Sequence, residues 1–265
     1  DCLLVYGANS LGGNDTGQIH AQYLSNFAGV GHTYVVFPVH EAPTLHIGVL
    51  LHIQNARDIS PIQDVRGGIA LEETVCARLK ELGLEKGNIG IVGPAVDYFY
   101  PCTIPYEQYT RFLKEFPEAH FQKVSEWFES IRAIKSDEEI ALIERAAALN
   151  DLCHEELFHA TRPGRTHADL RRIVEQVAFM HKGTHCMMHL SSWPIANQNW
   201  PYPDFWPTDH TVEDNHMIMS EMPVAKGKFH GAMMPITPLG IRTSVEVDKI
   251  GTGPPRLVGA RSLGP

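Results

Sequence analysis

The apolar residues of this 265-residue chain change their spacing near residue 130. Before that point short β-rich runs alternate with helical patterns, and after it come two long stretches of helical period. One hydrophobic core rarely serves a chain of this length, so two domains are expected.

In the first half, Leu3, Leu4, Val5 and Tyr6 read as a strand ended by Gly7, residues 33–37 as a buried strand ended by Pro38, and residues 44–51 as another. Leu71, Val75, Leu79 and Leu82 then recur at helical spacing, with Gly83 as the stop. Residues 89–93 follow as a strand, 106–116 as a helix entered at Pro105, and 120–124 as a further strand. Alternation of this kind predicts an α/β domain.

The second half opens on Ser136 with Glu139 three residues on, a capping box in which each side chain satisfies an orphan amide of the first turn. Ile140, Ile143, Ala147 and Asn150 fall on one face of the expected helix. Pro163 and Gly164 break it, and Thr166 and Asp169 start a second helix with an apolar stripe of Leu170, Ile173, Val177 and Met180, stopped by Gly183. A strand is expected at 187–191, and a second apolar run spans 217–224. Between them, residues 193–207 hold four prolines and three of the four tryptophans, a composition that forbids a helix and predicts a long ordered loop. After Gly240, glycine and proline crowd a segment with little apolar period.

Charge excludes some partners. Lys plus Arg total 22 against 31 Asp plus Glu, a formal −9, so the field opposes phosphate backbones and anionic lipid. Apolar runs such as Tyr34-Val35-Val36-Phe37 are far short of the roughly 20 residues that cross a bilayer. Neither nucleic acid nor membrane is therefore an expected partner. Cys2, Cys76, Cys102, Cys153 and Cys186 are odd in number and lack a Cys-x-x-Cys pair, which points to reduced thiols and a cytoplasmic location. No signal-peptide pattern precedes the first strand, and the first residue is Asp1 rather than Met.

The stretch Ile131-Arg132-Ala133-Ile134-Lys135-Ser136-Asp137-Glu138-Glu139-Ile140 resembles the junction between the two domains of the creatinase and Xaa-Pro aminopeptidase family, which includes prolidase. Tyr23-Leu24-Ser25-Asn26-Phe27, Arg162-Pro163-Gly164-Arg165-Thr166 and a turn at Gly183 flank it where the family has similar segments. The resemblance implies an N-terminal creatinase-like α/β domain, residues 1–129, followed by an α+β pita-bread domain, residues 130–265, here incomplete at its C-terminus. It also implies a homodimer and a hydrolase acting on a C–N bond, peptide or amidino, of a small peptide or amino-acid-like substrate. A catalytically inactive relative that only binds a peptide-like ligand, and a lyase acting on a small zwitterion, are the alternatives.

Metal-dependent relatives hold two divalent ions, Mn, Co or Zn, with an Asp, a second Asp, a His and two Glu. The resemblance puts Glu221 where the first Asp belongs, and ten intervening residues further on stands Ala232, which cannot ligate. The remaining donors would fall beyond residue 265, so no cofactor is expected in this chain. Glu221 is a candidate metal ligand or, alternatively, a sheet carboxylate pairing with Lys226 or Lys228. Creatinase-like relatives use a His as general base, and the candidates are His189, His210 and His216. Trp193, Trp200, Tyr202, Phe205 and Trp206 are candidate walls of a substrate pocket, or else pack their loop onto the sheet. His181, His185 and His189 have the spacing of three ligands on one helix face, but Gly183 and Thr184 interrupt that helix, and coincidence is the preferred reading.

Overall fold

A computed structural model describes residues 1–9, 18–93, 103–185, 189–196, 209–221, 224–226, 243–246 and 256–257. Among these, residues 1–136 form one compact unit and a second begins at Asp137.

The first unit is built on a six-stranded sheet of β1 (Cys2–Asn9), β2 (Gly31–Pro38), β3 (Thr44–Ile47), β4 (Asp64–Gly67), β5 (Asn88–Val92) and β6 (His120–Lys123), in the order β4-β3-β2-β1-β5-β6. β1 runs antiparallel to β2 and parallel to β5. Five helices accompany it: α1 (Ile19–Ser25), α2 (Ile53–Ile59), α3 (Leu71–Glu81), α4 (Tyr106–Glu115) and α5 (Ser125–Ala133). Side chains alternate across a strand, so β1 sends Leu4 and Tyr6 into a core with Leu71, Leu79 and Phe112, and Val5 into a second core with Ala21, Ala56 and Phe128. Burial of both faces explains why the central strands read as continuous apolar runs.

Three local expectations change. β1 passes through Gly7 instead of ending there, since Gly7 pairs with Thr33 of β2, and the missing side chain lets α1 lie directly against the strand. A Cβ at Gly7 would meet the Ala21 Cβ at 3.0 Å and the Gln18 Cα at 3.1 Å. The strand expected to reach residue 51 stops at Ile47, and Leu50–His52 forms a 3-10 turn leading into α2. α5 is an element beyond those expected, and Phe128 anchors it in the core.

The second unit opens with α6 (Asp137–Ala160) and α7 (His167–Met180). Thr166 caps α7 in a reciprocal box with Asp169: the Asp169 N–H donates to Thr166 Oγ1 at 3.1 Å, and the Thr166 N–H donates to Asp169 Oδ2 at 3.2 Å. The turn before it is tied down by Gly164 N–H donating to the Val212 carbonyl at 2.8 Å and Val212 N–H to the Arg165 carbonyl at 2.9 Å. Gly164 has φ +87°, a left-handed conformation that favours glycine.

Strands β7 (Gly183–His185), β8 (His189–Pro194), β9 (His216–Glu221), β10 (Val224–Lys226), β11 (Thr243–Glu246) and β12 (Arg256–Leu257) follow. β8, β9, β11 and β12 make an antiparallel sheet in the order β12-β11-β9-β8, and β10 pairs with β7. β11 lies where the Gly and Pro content had suggested no element.

The core of this unit joins Leu149, Cys153 and Leu157 of α6 to Leu170, Val174 and Ala178 of α7 and to Leu190, Val212 and Ile218. The buried stripe of α6 thus comes from its second half, while Ile140 and Ile143 of the expected stripe are 44% and 39% exposed. On α7 the buried face is rotated from the one expected: Leu170 belongs to it, but Met180 is 71% exposed.

Candidate active site

β8 and β9 pair with a register that assigns each residue to a face. Leu190 lies opposite Ser220, Ser192 opposite Ile218, and Pro194 opposite His216. Leu190 and Ile218 pack into the core with α6 and α7, so this set faces the helices.

On this helix side, the buried His167 at the start of α7 shares a hydrogen bond between its Nε2 and Ser192 Oγ at 2.8 Å. Its ring stands 5.1 Å from that of the exposed His210, which in turn stacks 6.4 Å from that of the buried His216. The Glu213 N–H donates to His216 Nδ1 at 3.3 Å, leaving the imidazole proton on Nε2, 3.8 Å from the Glu213 carboxylate. Burial pushes the His216 pKa down, partly opposed by Glu213, with His210 acting in the same direction as burial. The structure therefore brings His210 and His216 together, and with them His167, which the sequence reading did not single out.

The alternate positions belong to the other face. His189 lies opposite Glu221, Ser191 opposite Met219, and Trp193 opposite Met217. Positions 216 and 221 differ by an odd number, so His216 and Glu221 occupy opposite faces of β9. Of the three candidate histidines, only position 189 shares a face with position 221. Ser191 and Trp193 are buried, at 3% and 5% exposure, while Met217 and Met219 are partly open. Trp200, Tyr202, Phe205 and Trp206 lie outside the described residues. The line of His181, His185 and His189 is not a helix face, since α7 ends at Met180, Lys182 takes φ +59°, and β7 begins at Gly183.

Residues 141–249 match the model of metallopeptidase family M24. The match covers less than half of the chain. An Xaa-Pro dipeptidase from Lactobacillus helveticus is 32% identical over 123 residues, which cover 45% of this chain and 32% of that protein. The prolidase from Pyrococcus horikoshii OT3 superposes with a TM-score of 0.62 at 19% identity, over 84% of this chain and 56% of that one. The X-Pro aminopeptidase from Thermotoga maritima MSB8 gives 0.64 at 15% identity, over 84% and 58%.

The chain thus has the fold of these solved structures, an α/β domain followed by part of a pita-bread domain. It spans about a third of the curated relative's length and little more than half of these solved structures.

M24 is a family of metallopeptidases, so the donors around position 221 bear on whether a two-metal centre fits. On the face of β8 and β9 that carries position 221, the other described side chains are Ser191, Trp193, Met217 and Met219. Hard divalent ions favour carboxylate and imidazole donors, and none of these four supplies one. Among the described residues no group of three or more His, Cys, Asp or Glu could hold a metal ion. The described residues do not fit a two-metal site.

Proposed function

We propose that the face of β8 and β9 turned away from α6 and α7 is the substrate face of an Xaa-Pro-peptidase-type hydrolase. Its ligand is a small peptide or amino-acid-like molecule, and the bond acted on is C–N. The observation that carries this reading is the register placing Glu221 opposite His189 on the face that also bears Trp193. A carboxylate and an imidazole are the residue types that general acid/base hydrolysis of a C–N bond uses. One takes a proton from the attacking water as its oxygen bonds to the carbonyl carbon, and the other protonates the departing nitrogen. Trp193 supplies an apolar wall.

The second reading is a peptide-binding protein without turnover. Ala232, at the place where the family resemblance puts a second Asp, favours it. Two assays separate the readings: hydrolysis of Ala-Pro and of creatine, and calorimetric binding of Ala-Pro. The hydrolase reading expects Ala-Pro turnover that falls at least ~100-fold in Glu221→Ala, within the usual range for loss of general acid/base help. Binding without turnover selects the second reading, and neither binding nor turnover rejects both.

A homodimer is the proposed assembly, supported by the exposed apolar residues Ile140, Ile143, Phe179 and Met180 of α6 and α7. A reducing compartment, the cytoplasm, is the proposed location, supported by the free, buried thiols of Cys2, Cys76 and Cys153. Among the described residues no helix is long and apolar enough to cross a membrane.

A further inference from the structure

Residues 209–215 lead into β9 along the turn that joins α6 to α7, and three backbone hydrogen bonds hold them there. The His167 N–H donates to the His210 carbonyl at 3.0 Å, the Val212 N–H to the Arg165 carbonyl at 2.9 Å, and the Gly164 N–H to the Val212 carbonyl at 2.8 Å. The rings of His167, His210 and His216 form a column across the same junction. Its two outer residues are buried and the middle one is exposed, so a proton from solvent meets His210 first.

The turn into β9 depends on one unprotonated nitrogen. His216 Nδ1 accepts from the Glu213 N–H at 3.3 Å, and a ring that takes up a second proton there becomes a donor facing a donor. The contact then has to break. The new charge also lies in line with two other imidazoles, which repel it as they protonate in turn. Glu213, 3.8 Å from His216 Nε2, favours the proton, while burial and His210 oppose it and hold the pKa below 6.5. Asp169 is engaged by Thr166 and Arg172, and the charged residues Arg162, Arg165, Asp209 and Asp214 are exposed. The helix-side residues of β8, Leu190, Ser192 and Pro194, carry no charge.

We propose that the His167–His210–His216 column is a pH-sensitive clasp: protonation of His216 breaks its bond to the Glu213 amide and releases residues 209–215 from the α6–α7 turn while the helices stay packed. Released, His216 titrates near the ordinary 6.5, and clasped it titrates lower, so the released state takes up the proton first and release grows as pH falls below 6.5. The clasp governs the entry to β9, one of the two strands on which the site is proposed, but does not depend on that proposal.

Amide hydrogen exchange of the whole chain, read at single residues and corrected for the intrinsic rate at each pH, measures the release. Between pH 7.5 and 5.5 the protection of the Val212 and Glu213 amides is expected to fall about 3- to 10-fold, the range for one proton taken up near the ordinary value. Val174 and Ala178 in the core of α7 are expected to keep theirs. His216→Asn, whose Oδ1 accepts from the Glu213 N–H but takes up no proton, is expected to hold its protection across the range. Wild-type protection at Val212 and Glu213 that does not change with pH would overturn the clasp, whatever the variant does. Loss at Val174 in step with Val212 would mean unfolding of the whole unit and would also overturn it, as would an Asn variant as pH-sensitive as the wild type.

Discussion

Acidification from pH 6.5 to 5 will cost the first unit about 2 kcal/mol of stability through His46 alone, and His46→Gln will remove that loss. His46 on β3 is fully buried. The Thr74 hydroxyl spends its proton on the Leu71 carbonyl at 2.8 Å, so it accepts from His46 Nδ1 at 2.9 Å. Nε2 is then a bare acceptor, buried and unpartnered.

Burial, reinforced by the Arg66 and Arg78 cations and opposed by Asp64 and Glu81, brings the pKa from 6.5 down to about 3. Above pH 6.5 the ring is neutral in both folded and unfolded chains and contributes no pH dependence. Between the two values the unfolded chain takes up a proton that the fold refuses, so stability falls as pH falls, by about 1.4 kcal/mol per pH unit. Urea unfolding at half-unit intervals from pH 7.5 to 5 reads the slope, and a difference of one proton between wild type and His46→Gln is expected. Parallel curves would mean that His46 titrates freely in the fold.

Phe112→Ala will have a comparable or larger effect, a loss of about 3–5 kcal/mol in the first unit. Phe112 is the fully buried residue of α4, and its ring meets Tyr34 of β2 edge-on at 5.6 Å and 87°. The Tyr34 hydroxyl donates to Gln108 Oε1 at 2.7 Å, so one ring fixes the helix to the sheet through both packing and a hydrogen bond. Truncation leaves a cavity that α4 cannot close without breaking the Tyr34–Gln108 contact. Typical domains hold only 5–15 kcal/mol in total, so the variant's unfolding midpoint in urea will drop sharply. A loss under about 1 kcal/mol would show that α4 is not docked by this ring.

Where a residue pattern reports local physics, the sequence was a good guide. Thr166 and Asp169 announce the start of α7 because a capping box needs only four consecutive residues, and Gly83, at φ +66°, ends α3 for an equally local reason. Period alone said less about which face of a helix is buried. Ile140 and Ile143 have the spacing of a core stripe, yet the partners of α6 lie along Leu149, Cys153 and Leu157, because contacts distant in sequence decide the matter. Gly7 misled for the opposite reason: it reads as a strand stop until α1 is seen lying against it.

The site was legible in type more than in arrangement. Position 221 is named by the family resemblance, but the preference for His189 over His210 and His216 in the proposed site rests on the β8–β9 register, which is fixed by pairing and not by composition. A strict count of odd and even positions from the expected strands would have separated His216 from Glu221.

The claim on which the functional reading turns is location, and photo-crosslinking measures it directly. A diazirine-bearing Xaa-Pro dipeptide, irradiated with the intact chain and mapped by peptide mass spectrometry, should label residues 189–194 and 216–221, with labelling suppressed by excess Ala-Pro. Competable labelling confined to residues 1–136, or to the α6 and α7 surface, would contradict the account.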